Sequence, residues 1–284
     1  MKVRRSPLVV VLLVLAACAD GPTGSGDGTP FEHAMGSDDV LVKVTIGGGL
    51  VSPDVNLTNL PVFALYGDGT VITPGAQIEI YPAPALPEIS TRSVDETGVQ
   101  TILSEAIDAV DDLPADLDDT GDFQVIADAP TTTITVDAGR SRRTVEVFAL
   151  ELTERPAGIA DDVYEARQGL LRLIADLGNL EPWLPAGSLG DETMYEANAA
   201  RIFVGKYRSV ADLHQEPIAW PLGSLSGLAD STHPAAYRCT TLEGRDWIRV
   251  RDEAARANQL TPWTDGADRF SVLFRPLLPD ESGC

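Results

Sequence analysis

The sequence predicts an α+β protein: an antiparallel sheet with a covering helix, followed by a helix-rich, disulfide-closed C-terminal subdomain. Three observations carry this expectation. Two apolar stretches, Phe63 to Ile72 and Thr131 to Leu150, are interrupted by Gly67-Asp68-Gly69 and Asp137-Ala138-Gly139, and such steps supply the positive backbone angles of tight hairpins. Between them Val99, Ile102, Leu103, Ala106 and Ile107 recur at helical spacing. Near the end, Cys239 and Cys284 enclose a loop of about 46 residues, whose closure contributes on the order of 4 kcal/mol by the chain-entropy relation.

Taken in order, Leu41 to Ile46 alternates Val42, Val44 and Ile46 with Lys43 and Thr45, a strand pattern. Gly47-Gly48-Gly49 follows, and Leu50-Val51-Ser52-Pro53 does not open a helix, so a wide turn is expected there and not a phosphate loop. Ser93 and Glu96 form an S-x-x-E capping box ahead of a helix from Val94 to Val110. The second hairpin then pairs Thr131 to Val136 with Arg143 to Leu150. Beyond Pro156, Val163, Ala166, Leu170, Ile174 and Leu177 form one stripe of a helix from Asp161 to Leu177, stopped by Gly178-Asn179. From Leu180 to Arg238 the pattern is irregular. A helix from Gly244 to Asn258 and a strand from Phe270 to Phe274 close the chain, with the disulfide joining the helix start to the terminus. The expected organisation is a domain over residues 41–152 and a second over 153–284, packed together.

Ahead of these lie two segments of another kind. Lys2, Arg4 and Arg5 precede an apolar run from Pro7 to Ala17, and Cys18 stands at its end before Ala19-Asp20-Gly21. Eleven helical residues span roughly 16 Å, half of a ~30 Å hydrocarbon core, so residues 1–17 fit a cleaved signal peptide better than a membrane-spanning helix. Leu15-Ala16-Ala17-Cys18 resembles the bacterial lipobox, which implies that the Cys18 thiol receives a diacylglyceryl group and that the chain is cut before it. Two acyl chains give stable anchoring where one gives marginal binding. Residues 18–40, rich in Gly, Asp, Ser and Pro, are expected to form a flexible tether reaching about 25 Å. The expected location is therefore the extracytoplasmic face of the cell membrane, with lipid as the link.

The formal charge is -22, and loss of the three cations in residues 1–17 takes it to -25. That balance disfavours nucleic acid and anionic surfaces, which require Lys and Arg to displace counterions. With Cys18 lipidated, Cys239 and Cys284 are left to pair in a compartment where disulfides persist.

Each segment that approaches a catalytic signature has a plainer reading. His33, His214 and His233 stand in no metal-ligand spacing. Asp119-Thr120-Gly121 matches the aspartic protease tripeptide but lacks its leading apolar strand, and reads as a loop. Gly223-Ser224-Leu225-Ser226-Gly227 has Leu225 where a nucleophile elbow needs Ser, and reads as a turn. Seven carboxylates crowd between Asp108 and Asp122, among which Asp116, Asp118 and Asp122 are the candidate ligands of a calcium ion. Against that, position 12 of the loop is Ala127, not Glu, and a solvated acidic loop explains the same residues. The aromatics from Trp183 to Trp263 suit either a carbohydrate or peptide groove or a core.

Tyr66–Gly69 (YGDG), Asp128–Val136 (DAPTTTITV) and Arg275–Glu281 (RPLLPDE) resemble segments of uncharacterised lipoproteins of high-GC actinobacteria, a resemblance that implies no activity. Residues 41–150 also resemble the emfourin type of small metalloprotease inhibitor. The shared features are a strand entering Gly47-Gly48, the Val99-Ile102-Leu103-Ala106 helix, Asp128 before a strand, and a hairpin through Gly139, Thr144 and Val145. The YGDG hairpin departs from that pattern, and no inhibitory residue carries over. The expected function is a non-enzymatic, surface-tethered binding or interaction protein with a protein or small-molecule partner and no cofactor. A protease inhibitor on residues 41–150 and a hydrolase with unrecognised carboxylates are the alternatives. Replacing Cys18 with Ser is expected to abolish acyl labelling and to move the protein out of the detergent phase; unchanged labelling would refute the lipid anchor.

Overall fold

The computed structural model describes residues 30–77, 79–118, 128–151, 155, 157–225, 227, 231–232 and 237–284. Its first sheet is antiparallel throughout. It is built from β1 (Val40–Gly47), β2 (Phe63–Tyr66), β3 (Thr70–Pro74), β4 (Ile89–Ser93), β5 (Thr131–Ala138), β6 (Ser141–Phe148) and β7 (Thr193–Met194), in the order β6-β5-β1-β2-β3-β4-β7. Both expected hairpins form. Leu65 pairs with Val71 across the first, and Ala138 pairs with Ser141 across the second, which narrows its turn to Gly139-Arg140. A bulge in β1 sets Val40 opposite Tyr66 and Val42 opposite Leu65, so Leu41 and Val42 are both buried where strict alternation would expose one.

Helix α2 (Glu96–Val110) covers this sheet, as expected, with Val99, Ile102, Leu103 and Ala106 buried against β1, β2 and β5. Its cap differs. Ser93 ends β4, and Asp95 is the N-cap, accepting a hydrogen bond from the Gly98 N–H at 2.9 Å. Strand pairing with β3 holds Ser93 extended, so the next carboxylate takes the capping role. The Gly98 hydrogen bond and that of the Ser188 side chain hold the Asp95 carboxyl below its usual range.

Helix α3 (Asp161–Leu177) has the expected bounds, but it packs with α2 in the same core, together with Leu180 and Leu184. The first core therefore runs past residue 152, and what remains for the C-terminal part is a sheet carrying one long helix. That sheet holds β8 (Ala199–Lys206), β9 (Ile218–Ala219), β10 (Ser231–Thr232), β11 (Arg238–Glu243), β12 (Trp263–Asp265) and β13 (Asp268–Pro276), ordered β10-β11-β8-β13-β12-β9 and antiparallel except for β12 with β9. The helix expected over residues 244–258 is α4 (Gly244–Ala254), which places Trp247, Val250 and Ala254 against Ile202, Val204 and Phe274. Phe270 to Phe274 lies within β13. Gly47-Gly48-Gly49 leads into α1 (Pro53–Thr58), a short helix where none was expected, because Ser52 and Pro53 supply an N-cap position and a preset first turn.

The two sheets meet back to back through the chain terminus. Ala64, Tyr66, Ile72 and Ile89 on the outer face of the first sheet pack on Leu278, while Leu57 of α1 packs on Phe203 and Cys239 of the second. Cys239 and Cys284 are bonded, with Cα atoms 6.0 Å apart, and Cys239 sits in β11 and not at the helix start. Arg275 grips Glu281 through two hydrogen bonds of 2.5 and 2.7 Å, and its Nε donates to the Asn59 carbonyl. Lys43 and the Tyr66 hydroxyl both hold Asp280 at 2.7 Å, and the Tyr195 hydroxyl donates to the Leu277 carbonyl. Burial, then the neighbouring Glu281 and Asp280 charges, pushes the Tyr195 hydroxyl up to about 12.

The expected tether also ends early. Phe31 exchanges two backbone hydrogen bonds with the Gln100 amide, and His33 Nε2 lies 3.3 Å from the Glu96 carboxylate. The strap crosses both hairpin turns so closely that a Cβ on Gly139 would lie 2.3 Å from the Glu32 carbonyl, and one on Gly67 would lie 2.4 Å from that of Ala34. Residues 31–39 are thus part of the fold, and Phe31–Cys284 forms one compact unit.

Burial raises the pKa of Glu281, but the hydrogen bonds of Arg275 and the Leu278 N–H, with the charges of Arg275 and Lys43, outweigh it and hold the carboxyl low. A group with a depressed folded pKa stabilises the fold above its unfolded value and loses that contribution as pH falls through the folded one. Denaturant titrations are expected to show stability declining below the ordinary glutamate value of about 4.3. Glu281→Gln is expected to cost about 3 kcal/mol at neutral pH and to flatten that decline; an unaltered pH profile would refute the assignment.

Candidate functional site

Two clefts share one wall, the Pro84–Glu88 stretch of the long β3–β4 connection. The first, of about 470 Å³, lies between α1, this connection and β13, and includes Asp54, Val55, Tyr81, Leu86 and Phe274 in its lining. The second, of about 500 Å³, lies on the other side of the wall and includes Met194, Tyr195, Trp247, Arg251 and Asp252. Pro84, Leu86, Pro87 and Glu88 line both.

The wall is fixed by backbone bonds at both ends. The Gly75 N–H donates to the Glu88 carbonyl at 2.9 Å, and the Gln77 amide adds bonds to the Gly75 and Glu88 carbonyls. Farther along, the Ala85 N–H donates to the Ala257 carbonyl, and the Gln259 N–H donates to that of Ala83. A connection leaving the first sheet is thus stitched to the loop that follows α4 in the second.

Between these clamps the connection exposes apolar surface. Of the nine large apolar side chains exposed among the described residues, Leu50, Val51, Val55, Ile80 and Tyr81 belong to the corner before α1, to α1 itself and to this connection, and Met194 edges the second cleft. Val55 and Tyr81, 53% and 62% exposed, both line the first cleft. Asp54 accepts a hydrogen bond from Tyr237, whose hydroxyl is pushed up to about 12 by burial and then by that bond.

The residues singled out from sequence fall elsewhere. Cys18, Asp122, His233 and Asp119-Thr120-Gly121 lie outside the described residues. Asp116 and Asp118 follow α2, and the Asp118 carboxylate accepts the Phe148 N–H at 2.7 Å, fastening its loop to the end of β6. Among the described residues, no three His, Cys, Asp or Glu side chains converge to hold a metal ion. His214 is exposed beside Glu216. Leu225 is fully buried, while the Ser224 hydroxyl and the Leu225 N–H both donate to Asp265, so that segment is a carboxylate-capped turn. Trp220, Trp263 and Phe274 stack edge to face in the second core, at 5.6 and 5.4 Å, and Trp247 is buried there too, though Trp247 and Tyr195 also line the second cleft. No described helix is long and apolar enough to cross a membrane.

Neither the clefts nor Arg167 was singled out from the sequence. The available signal was the Pro-rich stretch Tyr81–Glu88, which forms no strand alternation and lines both clefts. Arg167 is 3% exposed within the apolar stripe of α3 and donates to the carbonyls of Leu117, Phe148 and Ala149. Burial lowers its pKa, against the attraction of Asp118. It joins α3, the acidic loop and the end of β6.

Compared with known proteins, the chain matches no family model, no curated protein sequence and no solved structure.

Replacing Arg167 with Met preserves length but leaves buried carbonyls without a donor. A loss on the order of 3 kcal/mol is expected in chemical denaturation, together with faster amide exchange in residues 113–118. A loss below about 1 kcal/mol would show that water replaces the guanidinium.

Proposed function

We propose that this chain is a lipoprotein, anchored at the extracytoplasmic face of a membrane through lipid on Cys18, whose folded part is a non-enzymatic binding protein working through the paired clefts. The observation that carries the binding reading is the exposure of Val55 and Tyr81, two large apolar side chains in the lining of one cleft large enough for a ligand. Hydrophobic surface left in water costs roughly 25 cal/mol per Å², and a partner that covers it recovers that cost. The clamps at both ends of the shared wall support the same reading, since a site held rigid before binding loses less entropy on binding.

The strap and the first cleft lie towards opposite ends of β1. The strap enters at Val40, whereas Gly47 leads directly to Leu50, Val51 and α1. Eight strand residues at about 3.3 Å each put roughly 26 Å between them.

The protease inhibitor reading has one observation in its favour: the strand entering Gly47-Gly48, the covering helix and the hairpin through Gly139 are all parts of one sheet layer. Its test belongs on the exported chain and not on residues 41–150, because Leu278 and Asp280 complete the back of that sheet.

The exported chain, residues 19–284, is expected to bind the neutral apolar dye Nile red saturably, and Val55→Ser combined with Tyr81→Ser is expected to weaken it at least about fivefold without lowering the melting temperature. No dye binding would overturn the cleft reading. Turnover of an ester, glycoside or peptide panel, or inhibition of thermolysin-like proteases, would replace it.

A further inference from the structure

Resting on the binding reading above, we infer that the clefts take a cationic, amphipathic segment of a partner protein, apolar side chains entering the clefts and Lys or Arg flanking them.

The charge of the walls sets the sign. Asp54, Glu88, Glu196 and Asp252 line the two clefts, and among the described lining residues Arg251 is the one cation. Arg251 faces Glu196 at 3.8 Å and Asp252 at 3.9 Å, so its charge is already countered. Glu79 stands in the same connection beside Ile80 and Tyr81 and is exposed. The local excess of carboxylate agrees with a whole-chain charge of -22, whose field raises the encounter rate of cations and repels phosphate, carboxylate and anionic headgroups.

The extent of the site sets the kind of ligand. Because Pro84, Leu86, Pro87 and Glu88 line both clefts, the apolar surface passes over that wall from Tyr81 on one side to Met194 on the other. A small molecule fills one cleft of about 470 or 500 Å³. A polypeptide lying across the wall occupies both and places charges near Glu88 at the junction. Glu88 is therefore the residue whose sign the partner reads, and its side chain is exposed, so it can be reversed without disturbing packing.

The test uses the exported chain with a labelled peptide of about twelve residues, alternating Leu and Phe with Lys, and Nile red as the reference ligand. Expected are displacement of the dye by the peptide, affinity falling about tenfold as NaCl rises from roughly 20 to 300 mM, and at least a tenfold loss of peptide affinity in Glu88→Lys with the melting temperature unchanged. Dye binding without peptide displacement would overturn this inference while leaving the binding reading in place; absence of both would remove the two together. Equal affinity for a Glu-for-Lys peptide, or peptide binding indifferent to Glu88→Lys, would overturn the charge assignment. A cationic detergent monomer binding as tightly as the peptide would overturn the polypeptide assignment.

Discussion

Arg275 and Glu281 face each other between two sheets, and their bidentate contact decides where everything near the C-terminus goes. Five residues lie between them, so their pairing folds the segment after β13 back on itself. Leu278 is thereby driven against Ala64, Tyr66 and Ile72, and Asp280 is presented to Lys43 and Tyr66. A buried ion pair is a poor source of net stability, since desolvation consumes most of the attraction, but a broken one leaves a charge stranded in low dielectric. The pair thus acts as a registry device. Only one seating of the tail satisfies the guanidinium, both carboxylates, the ammonium and the hydroxyl, and that seating is the one that closes the back of the first sheet.

Much of the first layer was legible because its signals are local. Alternation in β1 and β5, turn residues in two hairpins, and apolar stripes in α2 and α3 each specify an element without reference to the rest. The second sheet was legible only at its end. Its central strand, β8, is buried on both faces over Ile202, Phe203 and Val204, so it shows no alternation, and its neighbours β11 and β13 come from residues more than thirty positions away. Strand β4 has one apolar residue facing a core, Ile89, and exists through pairing with β3. The clefts were illegible for a related reason. Their walls come from α1, the β3–β4 connection, the loop after α4 and β13, segments no motif spans. Arg167 was hidden by its own stripe: a charge within an apolar helix face reads as an interruption until the carbonyls it serves are known.

Several cations are directed inward. Arg167 and Arg275 are buried, and Arg201 lies against the terminal residues, donating to the Gly283 and Ser282 carbonyls. The carboxylates are mostly outside. Among the described residues, Arg167 and Arg275 are the buried cations, and since Arg275 is balanced by Glu281, Arg167 is the charge withdrawn from the surface to hold backbone carbonyls.

The strap at residues 31–39 leads straight into β1, which lies in the middle of the first sheet with β5 on one side and β2 on the other. For a chain held from its N-terminal side, this decides how the molecule bears a pull. Tension arriving at Phe31 passes into a strand bonded along both edges, from Val42 to Gly47 against β5 and from Val40 to Val44 against β2. Load along the strand axis is shared by those bonds together, as in shear, and is not delivered to them one after another, as in peeling an edge strand.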